Sequence, residues 1–323
     1  MEYEFAPLEG ITDAVYRRNH RAFYPGITRY YTPFISPTQH HVFTPRQLRE
    51  LKPSNNGPIL LIPQLLGKNA EDILWAARAL ADMGYREVNL NLGCPSGTVT
   101  AKGKGAGLLR DPQTLDDFLG AVFRDAPVSF SIKTRIGWEF PEEFPRLLAV
   151  FSQYPVRRLI IHPRTREQLY TGSVHRGVFA DAVSETRLPL CYNGDLFTPE
   201  DCMDIRQRFP TVQALMMGRG LAADPGLAGK LLGQPGNADT LYRFLDTLGR
   251  EYRELFGGDS SAMHRMKAIW TYVLCSFRDG NRYRKRLIKA RRWDDLRQVT
   301  EEIFQKLELL PAAEGVGKLQ GTN

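Results

Sequence analysis

The sequence is poor in cysteine and has no long apolar run. Its four cysteines, Cys94, Cys191, Cys202 and Cys275, are scattered through 323 residues without a C-x-x-C pair, which argues against a disulfide framework and against a structural zinc site. No stretch of 18 or more apolar residues occurs, and the first residues carry no basic-then-apolar leader. Neither a membrane span nor a secretory signal is therefore expected, and the expectation is a cytoplasmic protein. No G-x-G-x-x-G follows the first apolar run, as a dinucleotide-binding fold would often show, and no serine, histidine and acid set suggests hydrolysis. Internal repeats and low-complexity tracts are absent. No metal site is expected, and nothing calls for more than a monomer.

What is present begins with ordinary globular composition, 42% hydrophobic and 24% charged residues, at a length that allows one large domain and a small appendage. The formal net charge of +7 becomes informative once it is located. Ten Lys and Arg lie between Arg265 and Arg292, against the single acid Asp279. That segment carries +9, and the rest of the chain is near −2. Clustered cations displace counterions from phosphates, so a polyanion-binding surface in the C-terminal part is the natural reading.

Short apolar runs alternate with helical patterns as far as about residue 232. Strands are read at 4–7, 28–30 (a weaker one), 59–64, 87–91, 129–134, 158–162, 188–193 and 214–217. Between them, 69–83 places Ile73, Leu74, Ala77, Leu80 and Ala81 at helical spacing, and 112–123 opens with proline in its first turn. Eight such units predict an α/β fold, a (β/α)8 TIM barrel, over residues 1–235. After the turn-rich 233–236, no strand pattern recurs. Helical stretches at 238–256, 260–277, 283–291 and 293–309 predict a C-terminal all-helical bundle domain, 236–310, carrying Arg282, Arg284, Lys285, Arg286 and Arg292 as candidate polyanion contacts. Residues 311–323 are expected to be a flexible tail.

A barrel of this kind carries its chemistry at the C-terminal ends of its strands. Five successive strand ends supply Asn91 and Cys94, Lys133 and Arg135, His162 and Arg164, Asn193-Gly194-Asp195, and Gly218-Arg219-Gly220. The last two turns resemble a phosphate cup, in which glycines let backbone N–H groups approach an anion and Arg219 adds charge. Lys133 ends an apolar strand, where an ammonium needs an anionic or carbonyl partner such as a flavin ring. Cys94 follows an asparagine-rich strand end rather than occupying the core. A thiol of pKa about 8.5 is mostly protonated at neutral pH and can act as a general acid. The loop 96–107 could fold over the pocket as a lid, while the other three cysteines are read as packing residues.

These motifs are similar to those of the tRNA dihydrouridine synthase family. The resemblance runs through Ala6-Pro-Leu-Glu-Gly-Ile-Thr-Asp13, Pro63-Gln64-Leu65, Asn91-Leu-Gly-Cys-Pro95, Gly105-Ala-Gly-Leu-Leu-Arg-Asp-Pro112, Lys133-Thr-Arg135, His162-Pro-Arg-Thr165, Asn193-Gly-Asp195 and Gly218-Arg219. It implies a barrel holding FMN that NADPH reduces, hydride passing from flavin N5 to C6 of a uridine in tRNA, and Cys94 protonating C5. It further implies that Pro7, Leu8 and Glu9 border the flavin, that Gln64 and Lys133 contact its ring, and that His162 packs near it. Asn193, Gly194, Asp195, Gly218 and Arg219 would hold its phosphate side, and Asn91, Arg135 and Arg164 would contact the flipped uridine and its backbone. Two departures are Leu8, where the family often has Met, and Pro163, where it commonly has Gly. Ribosomal RNA as substrate, a reductase of small pyrimidines or enones, and a non-catalytic RNA-binding scaffold are the competing readings.

Overall fold

The computed structural model describes residues 1–319. Nine short strands, β1 (Glu2–Phe5), β2 (Arg29–Tyr31), β3 (Leu61–Ile62), β4 (Gln64–Leu65), β5 (Glu87–Leu92), β6 (Ser129–Arg135), β7 (Leu159–His162), β8 (Leu190–Asn193) and β9 (Ala214–Met217), form one sheet in the order β3-β2-β1-β9-β8-β7-β6-β5-β4. Every pairing is parallel. The two edges meet at Pro63, which lacks the N–H needed to continue the ladder. Its carbonyl still accepts from the Asn89 N–H at 2.8 Å. β3 and β4 are thus two halves of one strand, and the sheet closes as the eight-stranded (β/α)8 barrel that the alternation predicts.

Parallel strands covered by helices are buried on both faces, and so read as apolar runs such as Leu159–His162 and Ala214–Met217. Ala6, Tyr31, Ile62, Ile160, Cys191, Ala214 and Met216 form a small core cluster separate from the large one, and fill the barrel interior. Side chains alternate along a strand, so two residues beyond this layer the same face carries Gln64, His162, Asn193 and Gly218 at the barrel's C-terminal mouth. Two residues below it the interior is ionic. Buried Glu4 accepts from the Tyr31 hydroxyl at 2.8 Å and pairs with Arg158 and Arg29, and Arg29 reaches Glu87 at 2.7 Å. A closed floor and an open, polar top leave one end of the barrel for chemistry.

The outer helices follow their caps. Asn69 accepts from the N–H groups of Glu71 and Asp72 ahead of Ala70–Asp82, and Asp111 from those of Gln113 and Thr114 ahead of Pro112–Arg124. C-terminal to the barrel, helices span Ala238–Phe256, Asp259–Val273, Arg284–Lys289 and Trp293–Lys306. The first seats Phe244 edge-on against Tyr16 and Tyr24 of the barrel, ring centroids 5.4 and 5.3 Å apart. Among the described residues no helix is long and apolar enough to cross a membrane.

One expectation changes. Residues 311–319, expected to be a flexible tail, are packed: Ala313, Val316 and Leu319 are buried, and the Glu314 N–H donates to the Cys275 carbonyl at 2.8 Å. Spaced apolar residues among glycines have no helical or strand period, so nothing in the sequence marked them as docked. The remainder of that tail, 320–323, lies outside the described residues.

Candidate active site

The ends of β1, β6, β7, β8 and β9 converge on a cleft lined by Pro7, Leu8, Lys133, His162, Asn193, Gly194, Asp195, Gly218 and Arg219. Nine of the eleven residues expected to bind a cofactor are therefore brought together. Their register explains it: Lys133 lies beside Asn91 on β5, and Arg135 beside His162 on β7. Gly218 allows a close approach, since a Cβ there would lie 3.3 Å from that of Ala6. The β8 turn bends through Gly194 (φ 151°) and Asp195 (φ 47°), and the Asn193 side chain ties it to the Met216 carbonyl at 2.8 Å.

The electrostatics are lopsided. Lys133 is half-buried and has no hydrogen-bond or ion-pair partner among the described residues; burial, then Arg135, lower its pKa to about 8. Burial and the cations Arg135, Lys133, Arg164 and Arg219 hold His162 well below the usual imidazole range, so it is neutral near pH 7. Four cationic side chains thus surround a cleft whose one lining carboxylate is Asp195. That carboxylate is already engaged, by Arg164 at 2.6 Å and Arg219 at 3.1 Å. The cleft is short of negative charge, a composition that suits an anionic ligand.

Cys94 stands at the next strand end. Asn91 Oδ1 accepts from the N–H groups of Gly93 (3.1 Å) and Cys94 (2.9 Å), while its Nδ2 donates to Gln64 Oε1 at 2.8 Å. Gln64 Nε2 donates onward to Asn89, and Asn89 to Ser131. Arg135 donates to the Gly93 carbonyl at 3.0 Å and the Thr165 carbonyl at 2.8 Å. The backbone around the thiol is thus held from both sides. Burial raises the Cys94 pKa against the opposing pull of Arg135 and Lys133, which keeps the thiol protonated at neutral pH. The loop expected as a lid is helical, with a turn at Gly97–Thr100 and a 3-10 segment at Gly105–Arg110. It is pinned by the Ala106 N–H on the Cys94 carbonyl at 3.1 Å.

Other expected residues stand outside the cleft lining or already have partners. Glu9 faces a separate groove between the barrel and the Ala238–Phe256 helix, and pairs with Arg46 at 2.9 Å. Arg164, expected to touch substrate, is taken up by Asp195, His162 and the carbonyls of Thr171 and Gly172. Asn91 and Gln64 are hydrogen-bonded to each other, and Asn91 braces the Cys94 turn. Tyr170 was missed. Its ring lies 6.2 Å from that of His162, with the guanidinium carbons of Arg135 and Arg219 at 5.3 and 5.0 Å. It stands in an irregular segment eight residues beyond His162, where no periodicity could assign it. Of the basic helical residues, Arg282, Arg284 and Lys285 are exposed and make no ion pair among the described residues, whereas Arg286 pairs with Glu302 and Arg292 with Asp295. No group of three or more potential metal-binding side chains occurs among the described residues.

The family described as "Dihydrouridine synthase (Dus)" matches residues 4–310 of this chain. The chain belongs to the dihydrouridine synthase family. Among curated relatives, the "Probable tRNA-dihydrouridine synthase 1" of Synechocystis sp. is 32% identical over 231 residues, covering 70% of this chain and 63% of that protein. The "tRNA-dihydrouridine synthase B" of Pseudomonas syringae pv. tomato is 28% identical over 68% of this chain and 64% of its own length. These two matches span a little under two thirds of the relatives' own lengths. A "Probable tRNA-dihydrouridine synthase" of Rhizobium leguminosarum is 28% identical over 83% of this chain and 84% of that protein. Among solved structures, the old yellow enzyme homologue from Zymomonas mobilis superposes with a TM-score of 0.53 at 12% identity, over 72% of this chain and 88% of that one. At that identity the likeness bears on the barrel fold alone.

Proposed function

We propose that this protein reduces uridine to 5,6-dihydrouridine in folded RNA, with tRNA as substrate, FMN as bound cofactor and NADPH as electron donor. The observation that carries the reading is Lys133, a half-buried ammonium without a protein partner at the mouth of a cleft short of negative charge. A flavin ring fits that donor set. Its carbonyl oxygens and reduced N1 would take the Lys133 ammonium, neutral His162 would pack beside it, and Arg219 with the Gly218 turn would face its phosphate. The cleft encloses about 70 Å³, against about 300 Å³ or more for a typical cofactor site, so seating a flavin requires its lining to open.

Bound flavin would supply the hydride. The chain's own residues would do the rest: Lys133 favours the reduced, anionic ring by its charge, and Cys94 delivers a proton to C5 of the uracil from a thiol kept protonated by burial. Asn91 and Arg135 hold that thiol's backbone in place. A base can reach such a cleft only by leaving its stack, and the exposed Arg282, Arg284 and Lys285 would grip the surrounding phosphates.

An absorbance spectrum of the purified protein, followed by dihydrouridine assay on unmodified tRNA with NADPH, tests the reading. Flavin bands together with dihydrouridine are the expected result. Flavin without product redirects the substrate to ribosomal RNA or a small pyrimidine, and a colourless protein that resists FMN reconstitution defeats the proposal.

A further inference from the structure

Beyond the last long helix the chain doubles back onto the barrel. Leu309 bridges Phe277, the Leu310 N–H donates to the Ser276 carbonyl at 2.8 Å, and Val316 is buried in a single 3-10 turn. Two contacts from this segment then reach residues that line the cleft. The Leu319 carbonyl accepts from Arg219 Nη1 at 2.9 Å, and Gly317 lies so close to Phe197 that a Cβ there would sit 3.3 Å from its Cε2. Arg219 is 7% exposed, and its other recorded acceptor is Asp195, reached from Nη2 at 3.1 Å.

A buried guanidinium carries five donors and needs acceptors for them. A second carboxylate would satisfy Arg219 and cancel its charge. A backbone carbonyl satisfies a donor and leaves the charge available. Phe197, 5.1 Å from the guanidinium carbon, is held by the same segment and limits where Arg219 can turn.

We propose that residues 311–319 form a strap that is part of the cofactor site, positioning Arg219 in the cleft to meet the anionic end of the cofactor. The inference rests on the flavin reading given above. Neither Leu319 nor Gly317 would touch the cofactor; both act through Arg219 and Phe197.

The strap can be undocked by Val316→Asp, or the end of it that reaches Arg219 and Phe197 removed by ending the chain at Gly315, each with Arg219 intact and with Arg219→Ala. FMN is titrated into the apoprotein by quenching of flavin fluorescence, and amide exchange of residues 193–197 and 218–222 is followed without flavin. With Arg219 intact, loss of the strap is expected to raise the FMN dissociation constant about tenfold, the scale of one hydrogen bond to a charged group. In the Arg219→Ala background it should change little. An unchanged constant with Arg219 present, or an equal rise in both backgrounds, overturns the proposal. If the full-length protein takes up no FMN, the flavin reading fails, while exchange still decides the strap: faster exchange at 193–197 and 218–222 upholds the positioning role, and unchanged exchange removes it.

Discussion

Folding Lys133 into the barrel mouth disfavours its charged form, since burial and Arg135 bring its pKa down to about 8 from 10.5. The unfolded chain binds this proton more tightly, so the penalty is fully present below about pH 8 and gone above about 10.5. Lys133→Met should therefore stabilise the apoprotein at pH 7 by on the order of 2 kcal/mol, a few degrees in Tm, with the gain closing toward pH 10.5. The same variant should lose flavin. Thermal melts of both proteins at pH 7 and pH 10.5 check this; a destabilised variant would mean the ammonium has a partner after all. Flavin uptake by the apoprotein should weaken as pH rises through about 8, when Lys133 loses its proton. Cys94→Ala should keep its yellow colour and oxidise NADPH while dihydrouridine formation drops by at least a hundredfold, on the scale of general-acid catalysis of about 10² to 10⁴. Product formed at the normal rate would remove the thiol from the chemistry. Lys133 and Cys94 were legible because a charge or a thiol at a strand end conflicts with its apolar surroundings. Arg164 and Glu9 looked equally conspicuous in the sequence, yet both are taken by partners far along the chain, Asp195 and Arg46, and pairing of that kind leaves no local signal.

Among the elements, the segment after Cys94 shows how a loop can act on a side chain that it does not carry. Gly105 stands at φ +57°, and a Cβ there would meet the Cys94 carbonyl oxygen at 2.9 Å and the Cys94 Cβ at 3.1 Å. Gly105→Ala is expected to cost about 1–2 kcal/mol in backbone strain and to displace the thiol, leaving flavin content intact while turnover falls. Measuring kcat alongside the flavin-to-protein ratio separates this from general unfolding, in which both would decline. The eight strands and their long helices could be read from period and caps, because each is specified within its own residues. The break at Pro63 was readable only as one strand, since closure of the barrel depends on Tyr31 and Asn89 on either side of it. The docked strap was not readable at all, because its anchors, Ser276, Cys275 and Arg219, lie about 35 to 100 residues away in the sequence.

Taken over the whole molecule, the basic segment divides into cations that have partners within the chain and cations that have none among the described residues. The segment from Arg265 to Arg292 counts ten Lys and Arg in sequence, yet Arg265, Lys267, Arg278, Arg286 and Arg292 are engaged with Asp13, backbone carbonyls, Glu308, Glu302 and Asp295. Arg282, Arg284, Lys285, Lys289 and Arg291 remain exposed without an ion pair among the described residues. The composition argument for a polyanion surface therefore holds with about half the cations it started from. If RNA is bound through phosphates, only unengaged cations release counterions on binding, and each contributes about one unit to the slope of log affinity against log salt. Reversing Arg282, Arg284 and Lys285 to Glu should accordingly weaken tRNA binding strongly and flatten the salt slope by roughly three. Reversing Arg286 and Arg292, which exchange one internal partner for repulsion against Glu302 and Asp295, should weaken binding less and act mainly on stability. Binding measured across a salt series decides between them. Equal losses from the two sets would mean that the ion pairs open on RNA binding, and no loss from the first set would place the RNA elsewhere on the barrel.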